Sequence, residues 1–120
     1  MGELERLLKS ANKQKRQVGA LLSEMLKQGK CSEVLTIDKI ADMLHQNDQI
    51  RETDKFFKKG EFKRFKEILS LHVTCLFNNH HMFMIVINNP EITNYLLNKV
   101  NPAKLKQQLE QTRRELNKQI

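Results

Sequence analysis

The chain has few of the residues that build stapled or flexible scaffolds: two cysteines, two prolines and four glycines in 120 residues. Two cysteines, Cys31 and Cys75, are too few for a disulfide framework, so an intracellular, reducing setting (cytoplasmic or nuclear) is expected. CxxC and HExxH spacings are both missing. His72, Cys75, His80 and His81 are therefore read as buried polar packing, with no metal expected. No carboxylate lies between residues 68 and 90 to complete a ligand set. Cys75 stands one helical turn from His72, but an apolar setting raises a thiol pKa and makes a poor nucleophile. Paired carboxylates, a glycine-rich phosphate loop and a cofactor fingerprint are absent too, so neither enzymatic activity nor a cofactor is expected.

Charge is missing from one long stretch. Residues 68–87 carry no Lys, Arg, Asp or Glu, although charged residues make up 29% of the chain. Such a segment is the expected buried centre of a single domain. His72, Asn78, Asn79, His80 and His81 interrupt it, which argues for core and against a membrane span. The N-terminus is charged and amphipathic, unlike a signal peptide, and Arg6 stands where a myristoylation signal needs Ser or Thr. Residues 1–120 are expected to form one helical domain, alone or as a piece of a longer protein.

What is present reads as helix. Apolar residues recur at Leu4, Leu8, Ala11, Val18, Leu22 and Met25 in alternating steps of four and three, a heptad seam that Gly29 ends. A second helix follows over Val34–Gln46, capped by Ser32 or Thr36. A short third one ends at Gly60. From Glu61 one seam runs through Phe62, Phe65, Leu69, His72, Leu76, Asn79, Phe83 and Val86, and another through Ile68, Leu71, Cys75, Met82 and Ile85. Met82–Ile87 has strand character as well, but no partner strand is evident, and a lone strand is unstable. Asn78–His81, four poor helix formers together, is the weak point of this element. Asn89-Pro90 and Asn101-Pro102 each open a further helix, at Glu91–Val100 and Ala103–Gln119. The predicted fold class is all-α: a bundle of about four to six helices, two of them long (3–28 and 61–88).

The net charge of +7 is unevenly spread. Residues 1–30, 51–66 and 99–120 each carry a net +4, and the segments between them are acidic. Basic excess of this kind suits a polyanion or an acidic partner surface. Two groups stand out. Arg6, Lys9, Lys13 and Arg16 fall opposite the Leu4–Met25 seam of a continuous helix and form a cationic ridge able to track phosphates. In Lys55–Lys66, four phenylalanines interleave with lysines and an arginine, a mixture that stacks unpaired bases and neutralises phosphates. Phe62 and Phe65 begin the core seam. Phe56 and Phe57 are adjacent, so at most one points fully inward. Phe57, Lys58, Lys59, Lys63 and Arg64 are taken as the contact residues.

Leu35–His45 has the character of the first helix of a helix-turn-helix, with Ala41 where close packing is needed. Its continuation lacks a turn glycine after Leu44, and Arg51 and Asp54 occupy positions that a second helix should fill with apolar residues.

The leading expectation is a non-catalytic interaction module, an oligomerising adaptor or accessory subunit. It would pair with another protein chain, of its own kind or a different one, through Leu4, Leu8, Leu105, Leu109 and Leu116. The alternative is a basic helical protein that binds nucleic acid through phosphates with little base specificity.

Overall fold

A computed structural model describes residues 2–77, 82–93 and 102–119. The expected all-α bundle is not what forms. The described residues build a mixed fold of helices and a three-stranded antiparallel sheet. Along the chain run α1 (Glu3–Leu8), α2 (Lys13–Lys27), β1 (Ser32–Leu35) and α3 (Ile37–Gln46), then a 3-10 turn η1 (Glu52–Lys55) and α4 (Glu61–His72). The strands β2 (Thr74–Phe77) and β3 (Phe83–Val86) follow, then α5 (Pro90–Thr93) and α6 (Pro102–Gln119).

Both long helices of the sequence reading are shorter than expected. The first breaks between Leu8 and Lys13 because Ser and Asn side chains bond the backbone in competition with the helix. Ser10 Oγ accepts from the Asn12 amide at 3.1 Å, and Asn12 Oδ1 caps α2 by accepting from the Lys15 amide at 3.1 Å. The break lets α1 fold back onto α2. Their backbones meet at Gly19, where a Cβ would lie 3.0 Å from both Leu7 Cβ and the Leu8 amide nitrogen.

The second long helix stops at His72, and Val73 is already extended at φ −140° and ψ 165°. From Val73 onward the sequence is β-branched and aromatic, which suits a pleated surface. The missing strand partners are on both sides of β3. In register, Ser32, Glu33, Val34 and Leu35 face Val86, Ile85, Met84 and Phe83 from one side. Thr74, Cys75, Leu76 and Phe77 face the same four residues from the other. Residues Asn78–His81, between β2 and β3, lie outside the described residues, as does the expected helix beyond Thr93.

Residues 68–72 of the uncharged stretch finish α4 and its remaining described residues enter the sheet, where every residue of β3 except Met84 is buried. Phe83 and Ile85 enter the core, while Met84 on the other sheet face is only half-buried and Met82 is exposed. That core is continuous with Leu4, Leu7, Val18, Leu21, Leu22, Met25, Leu35, Ile40, Leu44, Phe65 and Leu69. α6 lies along β1, with Thr112 Oγ1 donating to Ser32 Oγ at 3.1 Å and Leu116 buried.

The sequence placed several elements correctly. Thr36 caps α3 by accepting from the Lys39 amide at 3.2 Å, and α3 ends at Gln46 before Asn47. α4 begins at Glu61, directly after Gly60 at φ 86°, a left-handed conformation that glycine adopts without strain.

Candidate nucleic-acid interface

α3 and α4 both pack on α2, and the β2–β3 hairpin follows α4 directly. α4 presents one face inward and one outward. Phe65 and Leu69 are fully buried. With Phe57 and Phe83, residues Phe62 and Phe65 form an aromatic cluster whose ring centroids lie between 5.1 and 6.4 Å apart. Such contacts add about 0.5–1.5 kcal/mol each beyond area burial. Lys63, Arg64, Glu67, Ser70 and Leu71 face water, and Leu71 is 80% exposed. Leu71 belonged to a seam expected to be buried. The helix ends one residue after it, so no second neighbour arrives to cover it.

Both ends of α4 are tied down. At its start Glu61 turns inward: Oε1 accepts from Lys13 Nζ at 3.1 Å and from the Lys58 amide at 2.6 Å, and Oε2 accepts from Gln14 Nε2 at 2.8 Å. The bond from the Lys58 amide, helped by Lys13 and Gln14, holds the Glu61 carboxyl below its ordinary value. At the far end His72 Nδ1 meets Glu3 Oε1, and Asn89 Nδ2 donates to Glu3 Oε2 at 2.9 Å.

This arrangement splits the sequence-predicted cations into two groups. Lys13 and Arg16 are structural. Arg16 Nε donates to Asp54 Oδ2 at 2.6 Å and Nη1 to the Ser10 carbonyl at 2.6 Å, so the guanidinium is turned away from solvent. Arg6 pairs loosely with Glu91 at 3.5 Å, and Lys9 is exposed beside the helix break. The predicted ridge of four is therefore not formed, because the helix that would have aligned it is interrupted.

Lys58, Lys59, Lys63 and Arg64 are all exposed, and no ion pair engages their side chains among the described residues. Glu61, the acid nearest them in sequence, is spent on α2. Lys66 lies over the Phe62 ring at 5.0 Å from its centroid, and Glu67 is the one acidic side chain on the exposed face of α4.

The Phe56-Phe57 pair divides the other way round from the sequence assignment: Phe57, taken as a contact residue, packs inward against Phe62 and Phe65, and Phe56 turns outward. Of the predicted pairing leucines, Leu4 and Leu116 are buried within this chain and Leu8 packs against its core. The side chains of Leu105 and Leu109 lie outside the described residues.

Compared with known proteins, the chain matches no family model, no curated protein and no solved structure.

Other sites are poorer in chemistry. A cleft of about 550 Å³ opens between β1 and α6, but its buried carboxylate, Glu33, is already paired with Lys30 at 3.3 Å and with Lys39. Among the described residues no three His, Cys, Asp or Glu side chains converge as metal ligands would, and no helix is long and apolar enough to cross a membrane.

Proposed function

We propose that the protein binds nucleic acid through the exposed face of α4 and the basic segment leading into it, gripping phosphates with little base specificity. One observation carries this reading. Four cations, Lys58, Lys59, Lys63 and Arg64, are exposed at the start of α4 and just before it with no ion pair among the described residues, and they outnumber the exposed Glu67 because Glu61 is drawn inward to Lys13 and Gln14. Unneutralised cations on a rigid helix are the chemistry that displaces counterions from a phosphate backbone.

Two helices seated on a third and followed by a hairpin share the element order of a winged helix-turn-helix, but not its tight turn. The connection 47–60, which contains η1, is far longer than the usual turn of about three or four residues. Arg51 and Asp54, which spoke against such a unit in the sequence, belong to this connection and not to the second helix. Leu4, Leu8 and Leu116, on which a helix-pairing adaptor would rely, are spent on the chain's own packing.

The test is fluorescence anisotropy of a labelled oligonucleotide across a salt series. If all four cations reach phosphates, log K falls linearly with log salt at a slope of about −3 to −4. No binding at about 50 mM salt would remove the reading.

A further inference from the structure

The phenylalanines are divided unevenly between core and water. Phe57, Phe62, Phe65 and Phe83 pack against one another, whereas Phe56 keeps 53% of its surface exposed. Its backbone is nevertheless anchored, and its ring has a neighbour. The Phe56 carbonyl accepts from Gln17 Nε2 at 3.0 Å, and Gln17 is itself fully buried on α2. The ring meets that of His45, at the end of α3, with centroids 4.9 Å apart and planes at 76°. An edge-to-face neighbour covers at most one face of a ring, so a flat partner has a face to meet. Phe56 precedes Lys58 by two residues, which holds their Cα atoms within about 7.6 Å. A base resting on that ring would have its phosphates within reach of Lys58 and Lys59.

We propose that Phe56 is a stacking platform for an unpaired base, and that this face therefore prefers single-stranded nucleic acid, or a duplex with a single-stranded end, to blunt duplex. The proposal rests on the nucleic-acid reading above and narrows its ligand. Bases in a duplex are already stacked on one another, whereas an unpaired base gains most by leaving water for an aromatic face. The cations alone do not discriminate between the two forms; the ring does. Stacking needs only a π-face, so it also fits a site with little base specificity.

The chain contains no tryptophan, so Phe56→Trp supplies a sole indole reporter at this position. It would be titrated with oligothymidylate, oligouridylate, a blunt duplex of equal length and phosphatidylserine vesicles. The expected result is indole quenching by the single strands, DNA or RNA, at lower concentration than by the duplex. Phe56→Ala and Phe56→Leu should weaken single-strand binding about 5- to 150-fold, the stacking contribution of one base. Duplex binding should move less than about twofold, and Phe56→Tyr should retain single-strand affinity.

Equal single-strand affinity for Phe56→Leu and the native chain would overturn the proposal while leaving nucleic-acid binding in place. Equal affinity of the native chain for blunt duplex and single strand would do the same. An indole that blue-shifts on vesicles and ignores oligonucleotides would assign the ring to a lipid surface instead. Absence of oligonucleotide binding by the native chain would remove the underlying reading itself.

Discussion

Arg16 grips Asp54 across a sequence separation of 38 residues, with Nε donating to Oδ2 at 2.6 Å and Nη2 to Oδ1 at 3.1 Å. The side chains are 11% and 2% exposed, so this bidentate pair is an internal clamp that holds η1 against α2. Its fork geometry is specific to arginine.

Removing one partner of that clamp should be costly. Arg16→Met leaves the Asp54 carboxylate buried without its counter-charge, and the expected loss is about 3–5 kcal/mol. Urea unfolding followed by circular dichroism measures it. A loss below about 1 kcal/mol would place the pair among ordinary surface contacts.

The same pair sets a pH dependence. Burial pushes the Asp54 carboxyl up, but the bonds from Arg16 and from the Arg51 backbone outweigh it and hold the group below its ordinary value. A depressed carboxyl contributes stability that is complete above the unfolded pKa, about 3.9, and is lost as pH falls through the folded one. Glu61, depressed as well, acts in the same direction below its ordinary value of 4.5. Stability should therefore decline on acidification below about pH 4.5, and Asp54→Asn should flatten the lower part of that decline. Acid titration of both proteins is the measurement, and parallel curves would show that Asp54 is not the source.

Oligonucleotide binding should separate the two groups of cations. Lys63→Gln and Arg64→Gln should each reduce the magnitude of the salt slope by about 0.7–0.9, whereas Lys13→Gln should leave it unchanged, because Lys13 already serves Glu61. Equal effects from Lys13→Gln and Lys63→Gln would mean that the ligand does not approach α4 from its exposed side.

Gly19 is where α2 packs against both the backbone and the side chains of α1. Alanine in a helix gains about 1 kcal/mol over glycine, but here its Cβ would stand 3.0 Å from the Leu8 amide nitrogen. Overpacking costs about 1–3 kcal/mol, so Gly19→Ala should destabilise by up to about 2 kcal/mol with an unchanged denaturant m-value. A more stable Gly19→Ala variant would show that α1 can retreat without loss.

The thiols should be quiet until the chain unfolds. Burial pushes both Cys31 and Cys75 up to about 11, which leaves roughly a thousandth of each as thiolate at pH 8. Disulfide-exchange labelling at that pH should be slow on the native protein and rapid in denaturant. Rapid native labelling of Cys31 would contradict its burial.

The candidate interface was only partly legible in the sequence. Lys58, Lys59, Lys63 and Arg64 were visible as a basic run beside phenylalanines, and the structure leaves all four exposed. Phe56 and Phe57 were visible as a pair of which one must turn out, but which one depends on Gln17 and His45, far away in the chain. Lys13 and Arg16 looked equivalent to Lys63 and Arg64, since nothing local announces that Glu61 and Asp54 will capture them.

The residues by themselves marked the break at Asn47, the start of α4 after Gly60 and Thr36 as one of two candidate caps, and pointed to the uncharged stretch as a source of core residues such as Leu69, Phe83 and Ile85. Helix hydrogen bonds close within a few residues, and caps act on the next turn, so that information is local. Only the tertiary structure decided that 74–77 and 83–86 are strands, because β3 needs β1 and β2 beside it, and Ser32–Leu35 is too short and polar to advertise itself. Strand hydrogen bonds and buried ion pairs close between segments that meet only when the whole chain has packed.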